Sequence, residues 1–522
     1  MDVSVIIVSF NVRHFLKQCL NSVISASAGL RVEIFVIDNN SADGSCSMVA
    51  SEFPAVKLIM NKENRGFATA CNQGIERSSG KFILLLNPDT VLEEGTFSKC
   101  LSFMETHADA GATGVKMING NGKLLPESKR ALPTPATAFF KMTGLAWLFP
   151  KSAFFNRYYL GHLNSSETTE AEILSGAFMF IRKEALDKTG LLDEAFFMYG
   201  EDIDLSYRIV KAGFKNYYYP GVSIIHYKGE STKKSDINNL VQFYKAMIIF
   251  ISKHFANNGL SKIINPLHIA VVFWGIMAVL KNLVKKTILP LIDTILMLAI
   301  IIITVPFWEN VKFAGAYSYP DSYSNTIAAV FTIINLISLW ISGSYKLPSG
   351  FGRTIRGLIA GNAIILIVYA LLPAGLRFSR AIPLIAGGLS LLAIPLSRIV
   401  FSLVGNNISR NPFSRTRKTI IVSDSRSFAE ITGMLGRIRK RVNIRGRVSL
   451  SENDLTPEVL GNIWQLAEIV RVNKVHEIIF SADCLSASQI ISNMHQVSGQ
   501  NVVMKIASPG DNLLIGSNSI NL

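Results

Sequence analysis

Four apolar runs constrain this chain more than any other feature. They lie at about 288–306, 324–342, 354–373 and 381–404, each near the roughly 20 residues an α-helix needs to cross hydrocarbon. A shorter fifth run, 266–280, ends in "KNLVKK". Residues 256–287 therefore read as a helical linker that lies in the interface or re-enters it, ahead of four spans over 288–405. Basic residues flank the spans on one side: Lys281, Lys285 and Lys286, then Lys346, Arg353 and Arg356, then Arg410, Arg415, Arg417 and Lys418. Arg377 and Arg380, in a short outer loop, run against the rule. An even number of spans leaves both soluble ends in the cytosol. The opening "MDVSVIIVSFN" has no basic n-region and turns polar after eight residues, so no signal peptide is expected. Five scattered cysteines show no metal-ligand spacing and read as reduced thiols. A formal net charge of +15 points to phosphorylated substrates or anionic headgroups, and no nucleic-acid motif accompanies it.

Either side of the spans, the chain reads as soluble α/β protein. Residues 1–255 alternate near-continuous apolar strands ("VSVIIVSF", "VEIFVIDNN", "VKLIMN", "KFILLLNPD") with helix-like stretches. That pattern predicts a parallel sheet covered on both faces, with ligands at the carboxyl ends of its strands. Polar residues collect at those ends: Asn11, then Asp38-Asn39-Asn40, then Asn61 to Arg65, then Asn87-Pro88-Asp89. Residues 416–522 repeat the alternation as a small Rossmann-like α/β domain. Its first turn is "SDSRS" rather than GxGxxG, so dinucleotide binding is not expected.

"AFFMYGEDIDLSYRIVKAGF" places Glu201, Asp202 and Asp204 at the start of a helix-spaced stretch. Carboxylates there favour the positive end of the helix dipole, by about 0.3–1 kcal/mol each. Capping alone would explain them; so would a general base.

Six ordered segments carry a resemblance. "VSVIIVSFN", "VIDNNSADGS", "NKENRGFATACNQGI", "LLLNPDT", "LSGAFMFIRKEAL" and "GLLDEAFFMYGEDIDLSYRIVKAG" together resemble the family 2 glycosyltransferases of the GT-A fold, most of all the rhamnosyltransferase-like branch. The resemblance covers about residues 3–250. It implies an inverting enzyme that uses a nucleotide-diphospho-sugar, with Asp202 of the Glu201-Asp202 pair as catalytic base. Asp204 stays better explained as a cap. Ser9, Asn11, Asp38, Asn64, Gly66 and Asn87 fall on the nucleotide-sugar side; for Asp38, Asn64 and Gly66 an ordinary turn is the competing explanation. "NPD" stands where the family usually has D-x-D, leaving Asp89 as the carboxylate for Mg²⁺ or Mn²⁺, with His226 as a further metal or diphosphate contact or a structural residue. Lys228 and Ser231 are weaker phosphate candidates. No Q-x-x-R-W motif follows the base, so one sugar per encounter is expected.

The spans and the last domain resemble the amino-terminal half of bacterial polyprenyl-phosphate sugar-phosphate transferases, through "LRFSRAIPLI" and "KTIIVSD". Since that resemblance lacks their catalytic half, this part is expected to anchor and organise. The expectation is an enzyme of the bacterial inner membrane, multi-pass, with both soluble domains cytosolic. It would move a sugar, with dTDP-rhamnose one donor option, onto a lipid-linked glycan in cell-surface polysaccharide synthesis. A protein or other lipid acceptor is one alternative, and a non-catalytic scaffold of such a pathway is another. Nothing in the sequence sets the oligomeric state.

Overall fold

The computed structural model describes residues 1–521 apart from 135, 138–139, 141–142, 228–235, 256–260, 315, 346–350, 374–376, 378, 405–416, 439–441, 453, 455, 512 and 517–518. Lys228, Ser231, Lys346, Arg410 and Arg415 thus lie outside the described residues. The chain adopts the expected fold class: a GT-A-like α/β domain, four long apolar helices, and a second mixed α/β sheet domain.

The first sheet holds β1 (Val3–Ser9), β2 (Val32–Asp38), β3 (Lys57–Met60), β4 (Phe82–Leu86), β5 (Thr90–Leu92), β6 (Ala110–Ile118), β7 (Thr169–Glu170), β8 (Phe178–Arg182) and β9 (Lys215–His226). Their spatial order is β3-β2-β1-β4-β8-β6-β9-β5, with β7 on β9. The first four run parallel, as their continuous apolar runs predict. β1 sends Val3, Val5 and Ile7 into one core layer and Ile6 and Val8 into the other, so both faces are covered. The other half of the sheet is mixed, because β8 lies antiparallel to both β4 and β6. The reason is connectivity. β6 ends at the carboxyl edge of the sheet and β8 begins there, with Phe178 opposite Leu86, so "FMFIR" must run back down. Helices α1 (Arg13–Ala26), α2 (Ser45–Glu52), α3 (Phe67–Ile75) and α4 (Thr96–Thr106) join the early strands. The short α5 (Leu145–Leu148) and α6 (Lys183–Thr189) precede α7 (Glu201–Lys211) and α8 (Asp236–Phe255).

Among the described residues four helices carry segments long and apolar enough to cross a membrane: Lys286–Phe313, Ser322–Ile341, Phe351–Leu371 and Ala381–Val400. They belong to α9 (Ser261–Phe313), α10 (Asp321–Ile341), α11 (Phe351–Leu371) and α12 (Ala381–Val404). α9 is continuous over 53 residues, so its apolar part is one section of a longer helix. Within this unit Arg398 donates to Asp293 at 2.5 Å, and the Tyr345 hydroxyl reaches the same oxygen at 2.9 Å. Both charged groups are buried, so each offsets the other's desolvation.

The second sheet contains β10 (Lys418–Val422), β11 (Asn443–Ser449), β12 (Val459–Asn462), β13 (Glu477–Ser481), β14 (Val503–Ser508), β15 (Leu513–Gly516) and β16 (Ser519–Asn521). Its order is β12-β11-β10-β13-β14-β15-β16, parallel up to β14 and antiparallel beyond. Helices α13 (Ser425–Ile438), α14 (Leu466–Val472) and α15 (Ala487–Val497) cover it. In place of a glycine loop, Asp424 accepts the Ser427 amide at 2.7 Å at the start of α13.

This second sheet forms one compact unit with the first domain. Glu94, at the turn between β5 and α4, accepts the Ala487 and Ser488 amides at 2.8 and 3.0 Å. Its carboxylate therefore meets the unpaired N–H groups and positive dipole end of α15. Asn121 accepts the Met504 amide at 3.2 Å. A single buried cluster joins Val91, Ile118, Ile225 and Tyr227 of the first domain to Ile490, Met494 and Phe480 of the last.

Candidate active site

The three carboxylates that open α7 have three different fates. The helix starts after Gly200, whose φ of +88° is a left-handed value that a side chain would resist. Asp204 is fully buried and bound by Arg208 at 2.7 Å, Lys253 at 2.9 Å and His254 at 2.6 Å. Burial alone would raise its pKa, but the Lys253 and His254 hydrogen bonds outweigh that and hold it low. Asp204 is thus more than a cap: it ties α7 to α8.

Glu201 is also buried, and its Oε2 has no hydrogen-bond partner. Burial first, and then the neighbouring Asp202 charge, push its carboxyl up to about 8, so it carries a proton at neutral pH. Asp202 is the carboxylate that reaches the open edge. Its Oδ2 accepts Arg130 Nη2 at 2.6 Å and the Gly176 amide at 3.2 Å. Its Oδ1 accepts only the Ile203 amide, at 2.8 Å, among the described contacts. A Cβ on Gly176 would sit 3.4 Å from Asp202 Cβ, at ordinary contact distance.

That turn also reaches the "NPD" segment. The Asn87 amide donates to the Ala177 carbonyl at 3.0 Å, one residue from Gly176. Asp89 is 3% exposed, and its backbone carbonyl accepts the Tyr227 amide at 2.9 Å. Strand pairing sets Thr90 opposite His226. This brings His226 Nε2 to 3.3 Å from Asp89 Oδ1 and 3.5 Å from Asn87 Nδ2. The Asp89 contact lacks hydrogen-bond geometry, and both Asp89 Oδ1 and His226 Nδ1 remain buried without a hydrogen-bond partner. Among the described residues no group of three or more His, Cys, Asp and Glu side chains could hold a metal alone. Asp89 with His226 suits a hard cation only if diphosphate oxygens complete its shell.

The nucleotide-side candidates sit beside this pair. Ser9 and Asp38 are register partners at the carboxyl ends of β1 and β2. Both are buried, with Ser9 Oγ and Asp38 Oδ1 unpaired, while Asp38 Oδ2 accepts the Ser41 amide at 2.8 Å. Asn11 builds the adjoining turns: its amide donates to Ser41 Oγ and its side chain accepts the Ala42 amide. Asn64 Oδ1 accepts the Gly66 amide at 3.0 Å. Gly66 has φ +84°, and a Cβ there would meet the Phe197 carbonyl at 2.6 Å, so no other residue fits. The Phe67 amide donates to that carbonyl at 2.7 Å, which fastens the loop to the segment leading into Glu201.

The sequence reading missed Arg130. It is one of 52 basic residues, in a stretch without clear periodicity, and only the fold brings it to Asp202. Backbone pairing of Arg130 with Ile173 fixes it there. An open depression of about 510 Å³, lined in part by Ala131, Arg157, His162, Glu172 and Phe214, lies near the site, but none of the expected site residues lines it.

Residues 1–244 match the family model described as glycosyltransferase like family 2. An N-acetylglucosaminyl-diphospho-decaprenol L-rhamnosyltransferase of Mycobacterium tuberculosis is 27% identical over 232 residues, covering 42% of this chain and 75% of that one. A low-salt glycan biosynthesis hexosyltransferase, Agl10, of Haloferax volcanii is 26% identical over 211 residues, covering 40% and 61%. Among solved structures, a mannosyltransferase of Pyrobaculum calidifontis in complex with GDP-Man and Mn²⁺ aligns with 16% identity and a TM-score of 0.36, over 76% of this chain and 86% of that one.

Proposed function

We propose, from the premise that residues 1–244 form a family 2 glycosyltransferase domain, that this chain transfers one sugar per encounter, with inversion, from a nucleotide-diphospho-sugar to a membrane-held acceptor. The observation that carries this reading is a row of buried polar atoms without hydrogen-bond partners. Ser9 Oγ, Asp38 Oδ1, Asp89 Oδ1 and His226 Nδ1 follow the carboxyl ends of β1, β2 and β4 and the end of β9. Each such atom typically costs about 1–3 kcal/mol when left unmet, so a row of them suits a polar ligand.

In this reading Asp38 and Ser9 take the base and ribose, with Asn11, Asn64 and Gly66 shaping the surrounding loops. Asp89, His226 and Asn87 face the diphosphate. A Mg²⁺ or Mn²⁺ ion held by Asp89 and His226 would offset charge on the leaving diphosphate. Asp202 is the general base. Arg130 and Gly176 hold its Oδ2, which leaves Oδ1 to take the acceptor hydroxyl proton as that oxygen attacks the anomeric carbon. Glu201, protonated beside it, adds no second negative charge at neutral pH.

Rhamnose and a polyprenyl-diphosphate-linked acceptor are the specific substrates we favour, by analogy with the mycobacterial relative, with dTDP-rhamnose the donor we would try first. We place both soluble domains on the cytosolic side of a bacterial inner membrane. The Glu94–α15 contact supports this, since it requires residues 1–255 and 417–521 to share one side of any bilayer. A screen of labelled nucleotide sugars against membranes containing the protein tests the function. Asp202→Asn should lower transfer by about 10²–10⁴-fold while nucleotide binding persists. Failure of every donor to turn over would favour the scaffold reading.

A further inference from the structure

Residues 144–157, "GLAWLFPKSAFFNR", expose large apolar side chains on a braced loop. Trp147 is 84% exposed, Leu148 60%, Phe149 45% and Phe154 67%. Floppiness does not explain this. The Phe149 amide donates to Leu145, the Ser152 amide to Phe149 and the Asn156 amide to Ser152. Asn156 Nδ2 also donates to the Pro150 carbonyl at 2.7 Å. Phe155 stacks with Phe149 at 5.1 Å between ring centroids and meets Phe154 edge-on at 5.2 Å. The loop is therefore held together by its own contacts while its apolar faces point outward. Exposed Lys151 and Arg157 sit beside those faces.

We propose that this loop inserts into the headgroup and upper acyl region of an anionic bilayer. Aromatic rings beside lysine and arginine are the composition that favours a membrane–water interface, where the rings enter and the cations meet lipid phosphate. The charge is complementary to anionic lipid, and the chain itself carries four helices of membrane-crossing length. The loop is also wired to the base. Tyr158, the next residue, gives its carbonyl to the Ala131 amide at 2.8 Å, and its side chain bonds Arg130, the partner of Asp202. Lipid contact here would fix the height of Asp202 above the bilayer. The proposal does not depend on the donor or acceptor named above.

The test uses the full chain in nanodiscs of phosphatidylcholine and phosphatidylglycerol, as wild type and as Trp147→Phe. Tryptophan emission is read with lipids brominated high on the acyl chain, and separately with aqueous acrylamide. The other four tryptophans are common to both proteins, so the difference isolates Trp147. Loss of that difference signal in brominated nanodiscs is expected, and bromolipid quenching decides the matter whatever acrylamide does. A Trp147 signal untouched by brominated lipid overturns the proposal. In that case, quenching by acrylamide would mean the loop stands in water, and protection from it would mean a second copy or another protein covers the loop. Thermal unfolding at the wild-type midpoint in Trp147→Phe shows that the variant is folded.

Discussion

Replacing Glu201 with glutamine separates the two carboxylates that open α7. Glutamine keeps the shape and cannot ionise, so it mimics the protonated acid that burial favours here. The carboxyl is shifted from 4.5 to about 8 by burial and then by the Asp202 charge. At ~1.4 kcal/mol per pKa unit, such a shift caps the linked stability change at roughly 5 kcal/mol. Below about pH 4.5 the carboxyl is protonated in the folded and unfolded chain alike, and its contribution is fully present. As pH rises, the unfolded chain releases the proton first, so that contribution is lost between about 4.5 and 8. Thermal unfolding of the full chain in detergent should therefore show wild-type stability falling across that window, with a shallower fall in Glu201→Gln. The variant should be the more stable protein at pH 8.5. Sugar transfer at pH 7 should survive, because the native residue is already neutral there. A loss of 10²-fold or more at pH 7, with the fold intact, would make Glu201 the base and refute the assignment to Asp202. Parallel stability curves for the two proteins would refute the proton held on Glu201.

Asp89→Ala should weaken nucleotide-sugar binding, and chelators should inhibit the wild type; full activity in excess chelator would remove the cation from the account, and calorimetric titration with donor reads the first effect. Arg130→Ala leaves Asp202 without its partner at 2.6 Å. Loss of a charged hydrogen bond of about 1.5–3 kcal/mol predicts transfer slower by roughly 10–100-fold, with donor KM near wild type in steady-state kinetics. Reporter fusions after Asn310, Ser344, Arg377 and Thr416 should report outside, inside, outside and inside, and an outside signal at Thr416 would contradict a shared cytosolic face.

Much of this architecture was legible in local sequence because local sequence dictates it. Continuous apolar runs such as "FILLL" favour a doubly covered strand, and runs of about 20 apolar residues favour a helix long enough to cross a bilayer. The candidate site was legible where it sits at strand ends or helix starts, as with Asp38, Asp89 and Asp202. What stayed hidden depends on contacts between segments far apart in sequence. Arg130 meets Asp202 across 72 residues, and nothing near either one announces the other. Asp204 read as a cap because its partners Lys253 and His254 lie on a later helix. The antiparallel direction of β8 was hidden as well, because it is set by the edge at which the chain enters that strand, not by "FMFIR" itself.

The back of β5 and β9 carries a consequence for how such a protein can be shortened or inherited. Val91, Ile225 and Tyr227 are buried in a cluster shared with the last domain, and Glu94 is spent on the amides of α15. A fragment ending near residue 255 would strip part of the cover from those three side chains and take the α15 amides away from Glu94. It would lack one wall of its own catalytic domain, not an accessory. A lineage that dropped the last domain would first have to repaint that face with polar residues. Each intermediate would be a poorly soluble enzyme, so the fusion would be retained even if the attached domain bound no ligand at all.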